Sequence, residues 1–544
     1  MLKMKRSSLL IIALTLAVLF SACGTAKEGE ATPTGASVQP SASDTQGSGL
    51  PLTDKKTTIT VMAKMHALHN DLTTMDMVKQ LEKDTNVEIK GGFISNSSWQ
   101  EKKNITLASG ELPDMFLSGL TNTDVVKYSG QGYFIPLDEL IEENAPNIVN
   151  LYQSRPQYKA EATSPDGKQY VINGINELLF RESGHNLFIN KKWLDGLGLE
   201  IPKTYEEYYE ALKAFKTGDP NKNGKPDEIP FSFIYDGGMD YNSFWAMFGG
   251  WGLPVVRNNL FCVDDNNKVI YAPIHENFKD ALKYFNKLYS DGLMDKEAFT
   301  QNSSVFNAKG KNEDAILGSY MDWFGNSVVG AERFNEEYVV LPPMKGPYDQ
   351  KWPKISGFNS GATVTITNSN KNPELSIKWV NYTFEPLISM QLSRGPIGTV
   401  LVDNKDGTYT TKTPPEGMSD DEFRLQYTTD FTFPWALTTE ILDKLQLPKS
   451  FDRKLKEFYP ANKPYLPKNY IPNLMFTNEE NDIIAISKVD IDGYVLKMVP
   501  QFITGQISID EEWDSYVNQL KNMKVDEYTK LYQTAYDRYM EAKE

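Results

Sequence analysis

Between Thr57 and Gly119 the chain switches back and forth between two hydrophobic periods. No other feature constrains the fold as strongly. "TTITVMAK" (Thr57–Lys64) alternates, as a half-buried strand does. "MDMVKQLEKDTN" (Met75–Asn86) has helical spacing, with Met77, Val78, Leu81 and Thr85 on one side. "VEIKGGFI" reads as a second strand, "WQEKKNITLASGE" as a helix and "LPDMFLSG" as a third strand. A β-α-β-α-β order with short turns predicts a parallel sheet with helices on its faces.

The same logic recurs downstream. "FIPLDELIEENAP" begins another helix, with Asp138 in the N-cap position. A strand at Leu187–Asn190 leads into a helix containing Trp193 and Leu194, which Gly196 and Gly198 stop. Thr204 followed by Glu207 makes a capping box for a second amphipathic helix ending near Lys216. "AILGSYMDWFGNSVVGAERF" and "GATVTIT…NPELSIKWVNYTF" each run from strand to helix, and "YVVLPPMKG" is a strand. From Asn478 to Glu544 the pattern is almost wholly helical, broken at Thr504-Gly505, with Asp510 as the expected cap of the next helix. A body running from about Pro51 to Glu544 is too long for one ordinary domain, so two α/β lobes are expected.

The first residues are of another kind. Lys3, Lys5 and Arg6 precede an apolar run from Leu9 to Phe20, the length of a signal h-region and short for a membrane span. Gly24–Leu50 consists of Ser, Thr, Gly, Ala and Pro with hardly a large apolar residue, so it cannot bury a core. As a coil it would reach on the order of 30 Å, a tether for the body that follows. Only Cys262 remains after Cys23, so no internal disulfide is available. With 56 basic and 72 acidic residues the net charge is −16, which argues against nucleic acid and against electrostatic membrane binding.

"KTGDPNKNGKPDEIPFS" (Lys216–Ser232) spaces its oxygens like a calcium loop. With Asp219 as position 1, Asn221 and Asn223 fall at 3 and 5, Gly224 at the sharp turn, Lys225 at the carbonyl position and Asp227 at 9. Position 12 is Pro230 where a bidentate Glu is usual, and Glu228 is the expected substitute. Calcium takes six to eight hard oxygens, and this set can supply them. A solvated Asn/Asp/Gly turn is the competing reading.

"FINKKWLDGLGLEIPKTYEEYYEALKAFKTGDPNKNGKPDEIPFS", the tail "FITGQISIDEEWDSYVNQLKNMKVDEYTKLYQTAYDRYM" and "SGELPDMF" resemble extracellular solute-binding protein family 1, the sugar-binding lipoproteins of ATP-binding-cassette importers. Within it, the chain is similar to the large calcium-containing group of alginate-binding and LipO-like proteins. "LFSAC" likewise resembles a lipobox, implying cleavage before Cys23 and a diacylglycerol anchor there, although Phe20 stands where Leu is usual. The resemblance implies a two-lobed, type II periplasmic-binding-protein-like α/β fold. Each lobe would be a mostly parallel sheet flanked by helices, with a helical C-terminal region. It implies no catalysis, a saccharide ligand, a membrane permease as partner, a structural calcium ion and a monomer outside the cell membrane. The expected division is 1–22 signal, 23–52 lipidated tether, 53–180 plus about 315–370 in one lobe, and about 181–314 plus about 371–544 in the other.

Saccharides bind against aromatic faces with a few placed polar groups, and open α/β sheets hold ligands beyond the carboxyl ends of their strands. These two rules select Trp99, Asp114, Asp322, Trp323 and Trp435. Tyr241, Trp245 and Trp251 gather in a Gly-rich stretch, and Tyr170 and Arg394 complete the candidates. Trp193, Trp379 and Trp513 sit at helical spacing and read as core. Two competing functions remain open at this level: a peptide-binding lipoprotein and a glycoside hydrolase using two carboxylates. His66, His69 and Asp71 could suggest a transition-metal site, against which a solvated loop is the competing reading.

Overall fold

The computed structural model describes residues 49–235, 244–356, 358–416 and 418–544. The expected signal segment and Cys23 lie outside the described residues, as do most of the tether and Tyr241. Among the described residues no helix is long and apolar enough to cross a membrane.

Two sheets organise the body. The first is ordered Ala436–Leu437, Ile172–Asn176, Phe358–Ile366, Met115–Phe116, Thr57–Met65, Val87–Ser95. The predicted β-α-β-α-β unit forms its parallel part: Thr57–Met65 pairs in parallel with both Val87–Ser95 and Met115–Phe116. Alternation along Thr57–Met65 sorts its side chains as a strand must. Ile59, Val61 and Ala63 enter one core with Ile148, Trp379 and Trp435. Met62 enters another with Trp99, Phe116 and Val125. The helix Asp76–Thr85 buries Met77, Val78, Leu81 and Thr85, as its spacing predicts.

The second sheet is ordered Tyr338–Leu341, Asn186–Asn190, Leu317–Asp322, Ile229–Ser232. Leu187, Ile189 and Met321 face a core shared with the helices Tyr205–Thr217, Glu276–Ser290 and the C-terminal helices. Phe188 and Tyr320 face the opposite side with Phe334 and Phe458. The Thr204–Glu207 capping box is present. Tyr208 fastens the helix it caps by donating to Ser319 Oγ at 2.8 Å, and that hydroxyl donates in turn to Phe188 O at 2.7 Å.

Several expectations need correction. The sheets are mixed rather than mostly parallel: Phe358–Ile366 is antiparallel to both neighbours, and Asn186–Asn190 is antiparallel to both of its own. The division of the chain also differs. Leu317–Asp322 and Tyr338–Leu341 pair in the second sheet, not the first. Helices Pro373–Thr383 and Pro386–Arg394 and strand Ala436–Leu437 pack in the first core, not the second. Partner choice across a sheet is a long-range property that local periodicity does not carry. Asp138 is the first helical residue rather than the cap, and accepts from Gln169 N at 3.0 Å. Ser508, not Asp510, caps the helix Ile509–Asn522. The helical tail, its break at Thr504-Gly505 and the core positions of Trp193, Trp379 and Trp513 are as expected.

Gly119 has φ +87°, and a Cβ there would sit 2.4 Å from the Trp99 ring. Gly119→Ala therefore combines a left-handed backbone with overpacking and should cost about 2–3 kcal/mol. Urea denaturation measures it.

Candidate functional site

The turn after strand Leu317–Asp322 lies where the lobes meet. Asp322 shapes it: its Oδ2 accepts from Phe324 N at 3.2 Å, Gly325 N at 2.6 Å and Ser327 Oγ at 2.7 Å. Asn186 Nδ2 holds the Trp323 carbonyl at 3.1 Å. Trp323 and Phe324, although borne by the second sheet, pack against the core of the first lobe. Trp323 remains half-buried, with Phe180 edge-on at 6.1 Å. Phe180 and Phe451 belong to the first and last chain crossings between the sheets, and their rings meet at 5.5 Å.

Charged groups surround this junction. Arg424 donates to Asp430 Oδ2 at 2.5 Å, to Asp421 Oδ1 at 3.1 Å and to Ser393 O at 2.7 Å. Arg394 is buried and makes no ion pair among the described residues. Burial, and the Arg424 guanidinium beside it, pull its pKa down to about 9. Arg181 is near enough to lower the pKa of both Arg394 and Lys454. Lys454 is 2 % exposed, and its Nζ has no hydrogen-bond partner among the described residues. Burial pushes its pKa well below the ordinary value, with Asp322 opposing. His69 is buried beside Asp430 and His66, with Thr432 Oγ1 at 3.4 Å from its Nδ1. Phe431 holds φ +67° while facing the His66 ring at 5.9 Å, a strained conformation of the kind that gathers at functional sites.

Of the expected ligand contacts, Asp322, Trp323 and Arg394 come to this junction. Trp99 turns inward, 4 % exposed, and donates to Gly119 O at 2.8 Å. Asp114 stands before its strand instead of beyond it, and its Oδ2 accepts from Thr60 N and Oγ1, each at 2.7 Å. Tyr170 is buried and bonds Asp166 at 2.8 Å within its own turn. Trp245 stacks on Phe248 at 5.3 Å and Trp251 meets Tyr205 at 4.6 Å, both inside the second core. Trp435 is fully buried in the first core. Sequence reasoning missed Arg181, Arg424, Asp430 and Lys454, and weighed His69 only as a metal ligand. The four missed residues come from three separate segments with no shared motif.

A second concavity of about 400 Å³ opens between the lobes, between Thr121–Thr123 and the Asn473–Lys488 region. Amides of Asn122, Asn173, Asn473 and Asn481 line it with the rings of Phe476 and Tyr532. Thr123 Oγ1 donates to Asn481 Oδ1 at 3.0 Å, and Asn122 Nδ2 to Leu474 O at 3.1 Å, so hydrogen bonds cross between the lobes here.

The loop after helix Tyr205–Thr217 folds around its own oxygens. Asp219 accepts from Asn223 N at 3.1 Å and Gly224 N at 3.2 Å, with Asp219, Lys222 and Gly224 all at positive φ. Asn221 and Asn223 place their amides 3.2 and 3.1 Å from Asp227. Turning an amide over presents its oxygen to the same space, and the two orientations differ only by assignment. Glu228 Oε1 is buried without a hydrogen-bond partner among the described residues, and burial together with Asp227 and Asp219 pushes its carboxyl pKa up. Those are properties a bound hard cation would relieve, so the loop fits calcium. Among the described residues no group of three or more His, Cys, Asp or Glu is arranged to hold a metal ion, so such a site must draw on the asparagine and main-chain oxygens too. The same observation leaves His66, His69 and Asp71 without metal-site geometry. Asp71 instead caps a short turn by accepting from Thr73 N at 3.0 Å.

Two sheets joined by three crossings, with a partly open aromatic turn at their junction, define a hinged two-lobe solute receptor. The sequence model for bacterial extracellular solute-binding proteins matches residues 68–386, and the chain belongs to that family. It is 33% identical, over 91% of its length and 92% of the relative's, to the fructooligosaccharide ABC transporter substrate-binding protein FusA of Streptococcus pneumoniae. It is 25% identical to Lipoprotein LipO of Bacillus subtilis, over 88% of this chain and 93% of LipO. The solved structure of FusA in complex with kestose superposes with a TM-score of 0.71 at 31% identity, covering 89% of this chain and 99% of FusA. An EF-hand mutant of FusA in complex with fructo-nystose matches to the same extent.

His69 supplies a pH test. Burial holds its pKa at about 4, below the ordinary 6.5. Between those values the unfolded chain takes up the proton and the folded one does not, so stability falls as pH drops from 6.5 to 4. The full effect is about 3 kcal/mol. His69→Gln should lose about that much less than the wild type across the window, measured by urea denaturation at each pH.

Proposed function

We propose that this chain is the extracytoplasmic substrate-binding component of an ABC importer. It captures a sugar or oligosaccharide between its lobes and hands it to a membrane permease. The observation that carries the reading is Trp323. It is a half-buried indole on the end of a second-lobe strand, packed against the first lobe, where a ring-shaped ligand would be gripped on closure. An indole face suits the apolar face of a sugar ring, and nearby Arg394 and Arg424 can donate to its hydroxyls. The names of the relatives support a saccharide over a peptide.

Among the described residues, the carboxylates named at the junction are engaged in hydrogen bonds or ion pairs. Asp322 is committed to backbone donors, and Asp421 and Asp430 to Arg424. The proposed role is binding without cleavage of the ligand. Cys23 carries the lipid anchor, Gly24–Leu50 is the tether, and the molecule works as a monomer at the outer face of the membrane. Asp219, Asn221, Asn223, the Lys225 carbonyl, Asp227 and Glu228 hold a structural calcium ion. It fastens the helix Tyr205–Thr217 to the strand Ile229–Ser232.

Titration with kestose and related oligosaccharides, with peptides in parallel and a hydrolysis assay on the same samples, tests the reading. Saccharide binding without turnover is expected. Trp323→Ala should weaken it at least tenfold, about 1.4 kcal/mol, while circular dichroism shows the fold retained. Chelation with EGTA should lower the melting temperature by several degrees, calcium should restore it, and Asp219→Asn should remove the response. An unchanged melting curve in EGTA would remove the metal.

A further inference from the structure

Among the described residues, no hydrogen bond or ion pair accounts for the burial of Lys454. Its amine is buried, forms no hydrogen bond or ion pair among the described residues, and is desolvated enough to depress its pKa. Burying such a group costs stability, and an apolar side chain of similar length would remove the cost. What surrounds Nζ is aromatic. It lies 3.2 Å from the centre of the Phe324 ring, 3.8 Å from that of Trp323 and 4.9 Å from that of Phe180. Ring faces attract a cation or an N–H dipole and favour particular orientations.

The segment bearing Lys454 is itself pinned. Arg453 donates to Phe334 O at 3.1 Å and Tyr338 O at 2.9 Å, and its guanidinium lies 4.2 Å from the Phe334 ring centre. Phe451 packs on Phe180 and on Phe324, at 5.5 and 6.1 Å between ring centres. Lys454 opens a five-residue π-helical turn, Lys454–Phe458, a local irregularity common at functional positions. The last crossing is thus anchored on the second lobe and sends one side chain into the box around Trp323.

We propose that Lys454 is a positioning residue: it fixes the orientation of the Trp323 ring so that its open face is presented to the saccharide. Lys454 does not touch the ligand, because its Nζ is sealed behind the rings. The inference rests on the reading of Trp323 as the sugar platform, and it names what holds that platform in place. Lys454 is retained at a cost to stability for the sake of binding, as groups at functional sites often are.

The test is Lys454→Met in the full-length protein labelled with 5-fluorotryptophan. The Trp323 resonance among the nine tryptophans is assigned with Trp323→Phe. One sharp Trp323 line is expected in the unliganded wild type, and a broadened or doubled line in Lys454→Met. The melting temperature of Lys454→Met should equal or exceed that of the wild type. Kestose affinity should fall about tenfold in the wild-type background and less than twofold in Trp323→Ala. An unchanged Trp323 line, or a melting temperature lowered together with shifts at all the tryptophans, would overturn the inference, the latter by making Lys454 a structural support. An equal affinity loss in both backgrounds would overturn it as well. A mobilised Trp323 line with no kestose binding in any variant would uphold the positioning role and count against the saccharide reading instead.

Discussion

The strand Phe358–Ile366 lies in the middle of the first sheet, antiparallel to Met115–Phe116 on one side and Ile172–Asn176 on the other. Without it that sheet falls into two fragments. The chain supplies it only after all the strands of the second sheet have been made. The first lobe therefore cannot close its core until the chain has crossed to the second lobe and returned. Pairing of this kind is expensive in loop-closure entropy and slow to form. In return, the two lobes are tied by covalent crossings that leave a cleft between them.

The junction inherits its properties from those crossings. Phe180 comes from the first, Phe451 and Lys454 from the last, and Trp323 and Phe324 from a second-lobe strand end. Their rings form one box, so a shift between the lobes is felt at the Trp323 face. The charges nearby divide into two kinds. Arg424 with Asp421 and Asp430 is a paired set, each charge answered by a hydrogen bond, with Arg424 Nε unpartnered among the described residues. Arg394 and Lys454 are left over, desolvated and without ion pairs among the described residues. Unanswered charges beside an open aromatic face distinguish a binding cleft from a packed interface, where polar groups are paired.

Local pattern carried much of this structure. The parallel unit at Thr57–Phe116, the capping box at Thr204, the buried face of Asp76–Thr85 and the helical tail were all legible, because each depends on residues close in sequence. The lobe boundaries were not. Leu317–Asp322 and Phe358–Ile366 both look like strands, and nothing local says which sheet each joins. For the candidate site, Trp323 was legible from its place after a strand. Trp245, Trp251 and Trp435 share its chemistry but lie in cores, and the difference is burial, which follows from packing between distant segments. Lys454 was invisible for the same reason: a lysine within the charged run "FDRKLKEFY" reads as part of a solvated helix face.

Closure of the lobes on a sugar ring held against Trp323 is the central claim. A crystal structure of the protein with a bound oligosaccharide, begun with kestose, tests it most directly. The expected result is a sugar ring stacked on the Trp323 indole, with Arg394 or Arg424 within hydrogen-bond distance of its oxygens. A saccharide seated elsewhere, with Trp323 packed as it is without ligand, would contradict it.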